Sequence, residues 1–124
     1  MRTLLIADDE SGVRALVRMT LESGEYDIVE ASNGNDALRL AQESAPDLMF
    51  LDVMMPGLSG VEVCKTLKSD PTTSGIRIVL LTAKAQDADR EEGLAAGADD
   101  YFTKPFSPLS LIGKVDEVLH QAAS

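Results

Sequence analysis

At 124 residues the chain is the size of one compact α/β domain, spanning 1–124, and too short for two. It is 44% apolar and 26% charged, ordinary for a globule with a true core, and its net charge of −10 argues against direct contact with nucleic acid or an anionic membrane. A single cysteine, Cys64, excludes an internal disulfide and a cysteine-based metal cluster, and is expected to be a buried thiol. No apolar run approaches the ~18 residues of a membrane helix. The first strand starts almost at Met1, leaving no room for a signal peptide, and a reducing cytoplasm is the expected location.

Along the chain, short apolar runs alternate with helical periodicity. Leu4 to Ala7 reads as a buried strand that stops at Asp8-Asp9-Glu10. Val13, Leu16, Val17, Thr20 and Leu21 then recur at helical spacing. Tyr26 to Ala31 is a second strand, closed by the turn signal Asn33-Gly34. A helix around Ala37, Leu38, Ala41 and Ala45 ends before Pro46. Leu48 to Leu51 is a fully apolar third strand stopping at Asp52, and Gly60, Val63, Cys64 and Leu67 mark the next helix. After a loop over Asp70–Gly75, Ile76 to Leu81 is the fourth strand, ending at Thr82. A helix from about Asp87 to Ala96 follows, with Gly97 at its C-cap. Tyr101-Phe102 is a short fifth strand ending near Lys104-Pro105. Leu109, Ile112, Val115, Val118 and Leu119 are expected to face inward from a last helix.

Five β–α units in series, with strands apolar on both faces, belong to a parallel sheet covered by helices on each side. Five units are too few for an eight-fold barrel, so an open doubly wound sheet of order 2-1-3-4-5, a flavodoxin-like (βα)5 fold, is expected. Asp8, Asp9, Asp52, Thr82 and Lys104 each fall at or just past the carboxyl end of an apolar strand. Ligands bind there in such sheets, at the crevice where strand order reverses. Three converging carboxylates repel one another unless cations intervene, and Lys104 supplies only one. An all-oxygen site selects a hard ion, and Mg²⁺ fits best because it keeps its waters and accepts a phosphoryl oxygen. Asp52, on the central strand, is the best nucleophile toward phosphorus. Thr82 can donate its hydroxyl to one phosphoryl oxygen and Lys104 can pair with another.

These residues carry a resemblance. Asp8-Asp9, Asp52 in the run Asp52-Val53-Met54-Met55-Pro56-Gly57, Thr82-Ala83 and Lys104-Pro105-Phe106 are similar to the motifs of response regulator receiver domains, and the match covers essentially the whole chain. The resemblance implies that Asp52 takes a phosphoryl group from a histidine kinase or histidine phosphotransfer protein. It implies Mg²⁺ held by Asp9, Asp52 and the Met54 backbone carbonyl, with Asp8 acting through water, and a cis Lys104-Pro105 bond. Tyr101 matches the family's aromatic switch: Thr82 moves toward the phosphoryl group and Tyr101 turns inward. That remodels the face of the fourth helix, fifth strand and last helix for a downstream target or fused effector domain. The domain itself is then a phosphoacceptor rather than an enzyme.

Rival readings are weaker. A flavin site needs a loop that cradles phosphate, which Asp8-Asp9-Glu10 would repel. A haloacid-dehalogenase-type phosphatase needs an aspartate where Met54 stands. A phosphorylation-independent interaction module with the same fold is the remaining alternative. Glu10 is expected to be a plain surface residue and Asp99-Asp100 a solvated pair or part of a dimer network with Lys114. Met54 and Met55 are expected to pack. His120 is not expected to carry a phosphoryl group. Glu92, Ser110 and His120-Gln121 depart from the charge pattern of dimerising receivers, so a monomer or a weak phosphorylation-dependent dimer is expected. Met54 and Lys84, two residues past Asp52 and Thr82, are expected to hinder the water that attacks an acyl phosphate, giving slow decay.

Overall fold

A computed structural model describes residues 2–22, 26–83, 91 and 93–121. Lys84, Glu92, most of the helix expected from about Asp87, and the side chain of His120 lie outside the described residues. The elements are β1 (Arg2–Ala7), α1 (Ser11–Leu21), β2 (Tyr26–Ala31), α2 (Gly34–Ser44), β3 (Leu48–Asp52), α3 (Gly60–Ser69), β4 (Arg77–Ala83), β5 (Asp100–Lys104) and a C-terminal helix, Pro108–Gln121. The strands form one parallel sheet in the expected order, β2-β1-β3-β4-β5.

Strand alternation splits the interior in two. Leu5, Met49, Leu51, Ile78 and Leu80 face Ala37, Ala41, Val63, Cys64 and Leu67. Leu4, Ile6, Leu48, Phe50, Val79 and Leu81 face Val17, Leu21, Leu111, Val115 and Val118. Every side chain of β3 is buried, as its unbroken apolar run requires. Cys64 is buried too, and burial pushes its thiol up to about 11, so it is inert packing.

Local signals set the helix ends. Ser59 accepts from the Glu62 amide and Glu62 reaches back to the Ser59 amide, a reciprocal cap that starts α3 just beyond Asp52. Asn33 is not a tight turn but the cap of α2, its side chain accepting from the Asp36 amide at 2.8 Å. Ala45 is likewise not helical: it takes a left-handed conformation, φ 46°, that stops the helix before Pro46. Gly97, φ 103°, has the conformation expected of a helix-terminating glycine.

The expectation for the last helix needs correction. Leu109 is 82% and Ile112 41% exposed, whereas Leu111 is fully buried. With the helix beginning at Pro108, the inward stripe runs Leu111, Val115, Val118 at i, i+4, i+7, and the other two residues fall outside it. The fourth strand also runs further than expected, through Thr82 to Ala83, because β5 extends the ladder to Lys104.

Candidate functional site

Alternation also decides which polar side chains meet. Leu4 and Ile6, Leu48 and Phe50, and Phe102 share the sheet face under α1 and the C-terminal helix. Two residues beyond each row stand Asp8, Asp52 and Lys104, which form the top layer of that half-core. Asp8 is fully buried and Asp52 nearly so. Lys104 Nζ lies 3.1 Å from Asp8 Oδ2, 3.4 Å from Glu10 Oε1 and 3.5 Å from Asp52 Oδ2. The Glu10 amide donates to Asp8 Oδ1 at 2.9 Å and the Met54 amide to Asp52 Oδ1 at 3.2 Å. The Lys104-Pro105 bond is cis.

Burial first, and then the charge of Asp8, push the Asp52 carboxyl up to about 6, against the pull of the Lys104 ammonium and the Met54 amide. Burial disfavours the charged form of Lys104, but its hydrogen bond to Asp8 and the charges of Asp52, Asp8 and Glu10 outweigh that and raise its pKa. A cavity of about 660 Å³ opens over this layer. Asp9, Glu10, Asp52 and Lys104 form its polar wall, and Leu16, Met54 and Phe106 belong to its apolar one.

Carboxylate oxygens of Asp8, Asp9 and Glu10 lie within 4.8 Å of one another. Together with Asp52 they outnumber the one ammonium that reaches them among the described residues. An all-oxygen, net-negative donor set of this kind fits a hard divalent cation such as Mg²⁺ and does not suit a soft metal.

Thus Asp9, Asp52, Met54 and Lys104 meet at one cavity, with Asp8 buried beneath it, bonded to Lys104. Thr82, next to last in β4, lies at the same edge of the sheet, buried, and alternation places it with Ile78 and Leu80 on the opposite face. Tyr101 pairs with Leu80 in the ladder and packs, half-buried, against that same face. Thr82 and Tyr101 therefore share a side of the sheet.

Other expectations change. Glu10 is a surface residue as expected, its side chain 65% exposed, but it also borders the cavity and reaches Lys104. Met54 does not pack into the core: its side chain is 66% exposed and lines the cavity, while Met55 is the one that packs. Asp99 and Asp100 are not a solvated pair. Asp99 accepts from the Ile78 amide at 2.8 Å and from Lys68 Nζ at 2.9 Å, and Asp100 pairs with Lys114 at 2.8 Å within the chain. Sequence reasoning also passed over Arg14, whose Nη1 donates to the Asp8 carbonyl at 2.7 Å. A cation one turn into the helix that follows three acids was the available signal.

Residues 4–116 match the family described as the response regulator receiver domain. The chain belongs to that family. This receiver is 42% identical over 120 residues to the phosphate regulon transcriptional regulatory protein PhoB of Pseudomonas aeruginosa, covering 97% of the chain and 52% of the relative. It is 43% identical over 120 residues to the transcriptional regulatory protein ResD of Bacillus subtilis, covering 97% and 49% respectively. The receiver spans about half the length of the curated relatives it matches. Among solved structures, chemotaxis protein CheY4 of Vibrio cholerae superposes with a TM-score of 0.88 at 32% identity, covering 96% of the receiver and 99% of that chain. The receiver domain of sensor histidine kinase PA1611 of Pseudomonas aeruginosa PAO1, solved with a magnesium ion coordinated in its active site cleft, gives 0.86 at 26% identity, covering 96% and 98%. Receivers of this family are the response-regulator modules of two-component systems. No helix among the described residues is long and apolar enough to cross a membrane.

Proposed function

We propose that this receiver is a phosphorylation-dependent switch that accepts a phosphoryl group on Asp52 from a histidine kinase or phosphotransfer protein. The observation that carries this reading is the Lys104 ammonium set between two buried carboxylates, 3.1 Å from Asp8 and 3.5 Å from Asp52, at the floor of an open cavity. Asp52 attacks phosphorus, a P–O bond forms, the P–N bond to the donor histidine breaks, and the imidazole nitrogen leaves with the electron pair. Little covalent chemistry falls to the protein, so positioning and charge neutralisation carry the rate. Lys104 neutralises one phosphoryl oxygen and the Thr82 hydroxyl donates to another.

Asp9, Asp52 and the Met54 carbonyl would hold Mg²⁺, with Asp8 acting through water. When bound, the ion offsets the charge that the acidic crevice would otherwise set against an incoming phosphoryl group. The all-oxygen donor set supports this, as does the magnesium reported in the PA1611 receiver. Engagement of Thr82 draws it from the face it shares with Tyr101. Tyr101 then turns inward and the surface around β5 changes for a downstream protein or a fused effector. The relatives named transcriptional regulators are about twice as long as this chain, and the receiver's net charge of −10 leaves any DNA contact to a partner domain. The domain is a phosphoacceptor and not a turnover enzyme. It works as a monomer or weak dimer in the cytoplasm.

Transfer of radiolabel from a small phosphodonor in the presence of Mg²⁺ tests the reading. Wild type should become labelled in an acid-labile, hydroxylamine-sensitive form, and Asp52→Ala should not. Equal labelling of both, or of neither, would leave only an interaction module with this fold.

A further inference from the structure

The turn between β1 and α1 holds three carboxylates within 4.8 Å, an arrangement that drives its members apart unless the backbone is gripped. Two ties to edge strand β2 grip it. The Asp8 amide donates to the Ala31 carbonyl at 3.1 Å. The second tie runs through Arg14, which is 19% exposed: Nη1 donates to the Asp8 carbonyl at 2.7 Å and Nε to Glu30 Oε1 at 3.2 Å. Glu30 is itself fixed, accepting from Arg18 Nε at 2.6 Å, while Arg18 also bonds the Ile28 carbonyl and Glu22. A planar guanidinium can bridge a carboxylate and a carbonyl at once, which a lysine ammonium on a flexible stem does poorly.

We infer that Arg14 is a positioning residue for the acidic crevice: anchored on Glu30, it fixes the main chain at Asp8, so that Asp8, Asp9 and Glu10 hold the geometry that takes a divalent cation and pairs with Lys104. This rests on the Mg²⁺-binding reading above. The edge strand β2, remote from Asp52 in the sheet order, thereby becomes part of the site's support.

Plain electrostatics makes the opposite prediction. Removing a positive charge beside three carboxylates leaves the crevice more negative, and long-range attraction alone would then tighten Mg²⁺ binding. The sign of the change separates the two.

Mg²⁺ is titrated calorimetrically into the 124-residue chain as wild type, Arg14→Gln, Arg14→Lys and Glu30→Gln. Amide hydrogen exchange at Asp9 and Glu10 is followed without metal. Positioning predicts an Mg²⁺ dissociation constant raised about tenfold in Arg14→Gln, the scale for losing an outer support of a ligand. Arg14→Lys, which keeps the charge but not the fork, should not restore it. Glu30→Gln, which leaves the guanidinium in place but weakens its anchor, should shift the constant the same way by less. The Glu10 amide should exchange faster in all three variants. Unchanged or tighter Mg²⁺ binding by folded Arg14→Gln overturns the inference. Should that variant not fold, unchanged binding by Glu30→Gln overturns it equally. If wild type itself takes up no Mg²⁺, the crevice reading fails instead, and the Glu10 exchange rate still reports whether Arg14 holds the turn.

Discussion

Gly60 lies directly against the backbone carbonyl of Asp52, so near that a β-carbon at position 60 would overlap the oxygen. The Gly60 amide also donates to the Val53 carbonyl at 3.0 Å, so the first residue of α3 closes over the end of β3. Gly60→Ala should therefore displace the strand end that carries Asp52. Overpacking of this kind costs about 1–3 kcal/mol. Urea unfolding should show that loss, and labelling of Asp52 should slow more than stability alone explains.

Gly113 is the contrasting case. It sits within the C-terminal helix with open space where a β-carbon would point. Gly113→Ala should raise stability by about 1 kcal/mol, because alanine restricts the unfolded chain and favours the helix. A thermal scan should show a higher Tm with labelling at Asp52 unchanged.

The two glycines show what a sequence can and cannot announce. Asp8, Asp52 and Lys104 were legible because each follows an apolar strand, and strand order alone brings strand ends together. Thr82 was legible as a strand-end residue, but not the side of the sheet its hydroxyl faces, and Tyr101 came only from the family resemblance. Arg14 and Glu10 were not, since their roles depend on where a long side chain reaches across elements, which periodicity does not encode. The last helix was legible as a helix but not in phase: Leu109, Leu111, Ile112 and Val115 fit two overlapping stripes, and only packing against Val17 and Leu21 selects one. Asp99 reads as either a solvated acid or part of a dimer network because its partners, the Ile78 amide and Lys68, are far away in the chain.

Asp52 should weaken the unliganded fold at neutral pH. Its carboxyl rises from 3.8 to about 6 on folding, so the folded state binds the proton more tightly than the unfolded chain. Below the lower value both states are protonated and no penalty exists. Between the two values stability falls as pH rises, and above about 6 the full penalty applies. Asp52→Asn should thus be more stable than wild type at pH 7 without Mg²⁺, by roughly 3 kcal/mol. The difference should close as pH falls toward 4. Added Mg²⁺ should narrow it at pH 7, because the ion stabilises wild type preferentially. Urea midpoints across pH, with and without the metal, read this directly; a gap that widened on acidification would contradict it.

Lys104 should be the reverse. Lys104→Ala leaves Asp8 buried opposite Asp52 with the ammonium gone, and breaking a buried pair on one side costs about 3–5 kcal/mol. Lys104→Ala combined with Asp52→Asn should recover part of the loss, by more than Asp52→Asn gains in wild type, since one of the two facing buried carboxylates is neutralised. An Asp52→Asn gain no larger without Lys104 than with it, in a double-mutant cycle, would mean that Lys104 acts on Asp8 alone.

Met54 should set how long the phosphoryl group survives. Its amide holds Asp52 Oδ1 at 3.2 Å, and its side chain, 66% exposed, lines the cavity through which water must approach. A large apolar group at that entrance obstructs the attacking water and offers it no hydrogen bond. Met54→Asn removes bulk, supplies polar atoms and leaves the amide contact intact. Decay of the label on Asp52 in Mg²⁺ at neutral pH should accelerate several-fold in this variant, while wild type persists well beyond seconds. Identical decay in both proteins would shift control of hydrolysis away from position 54.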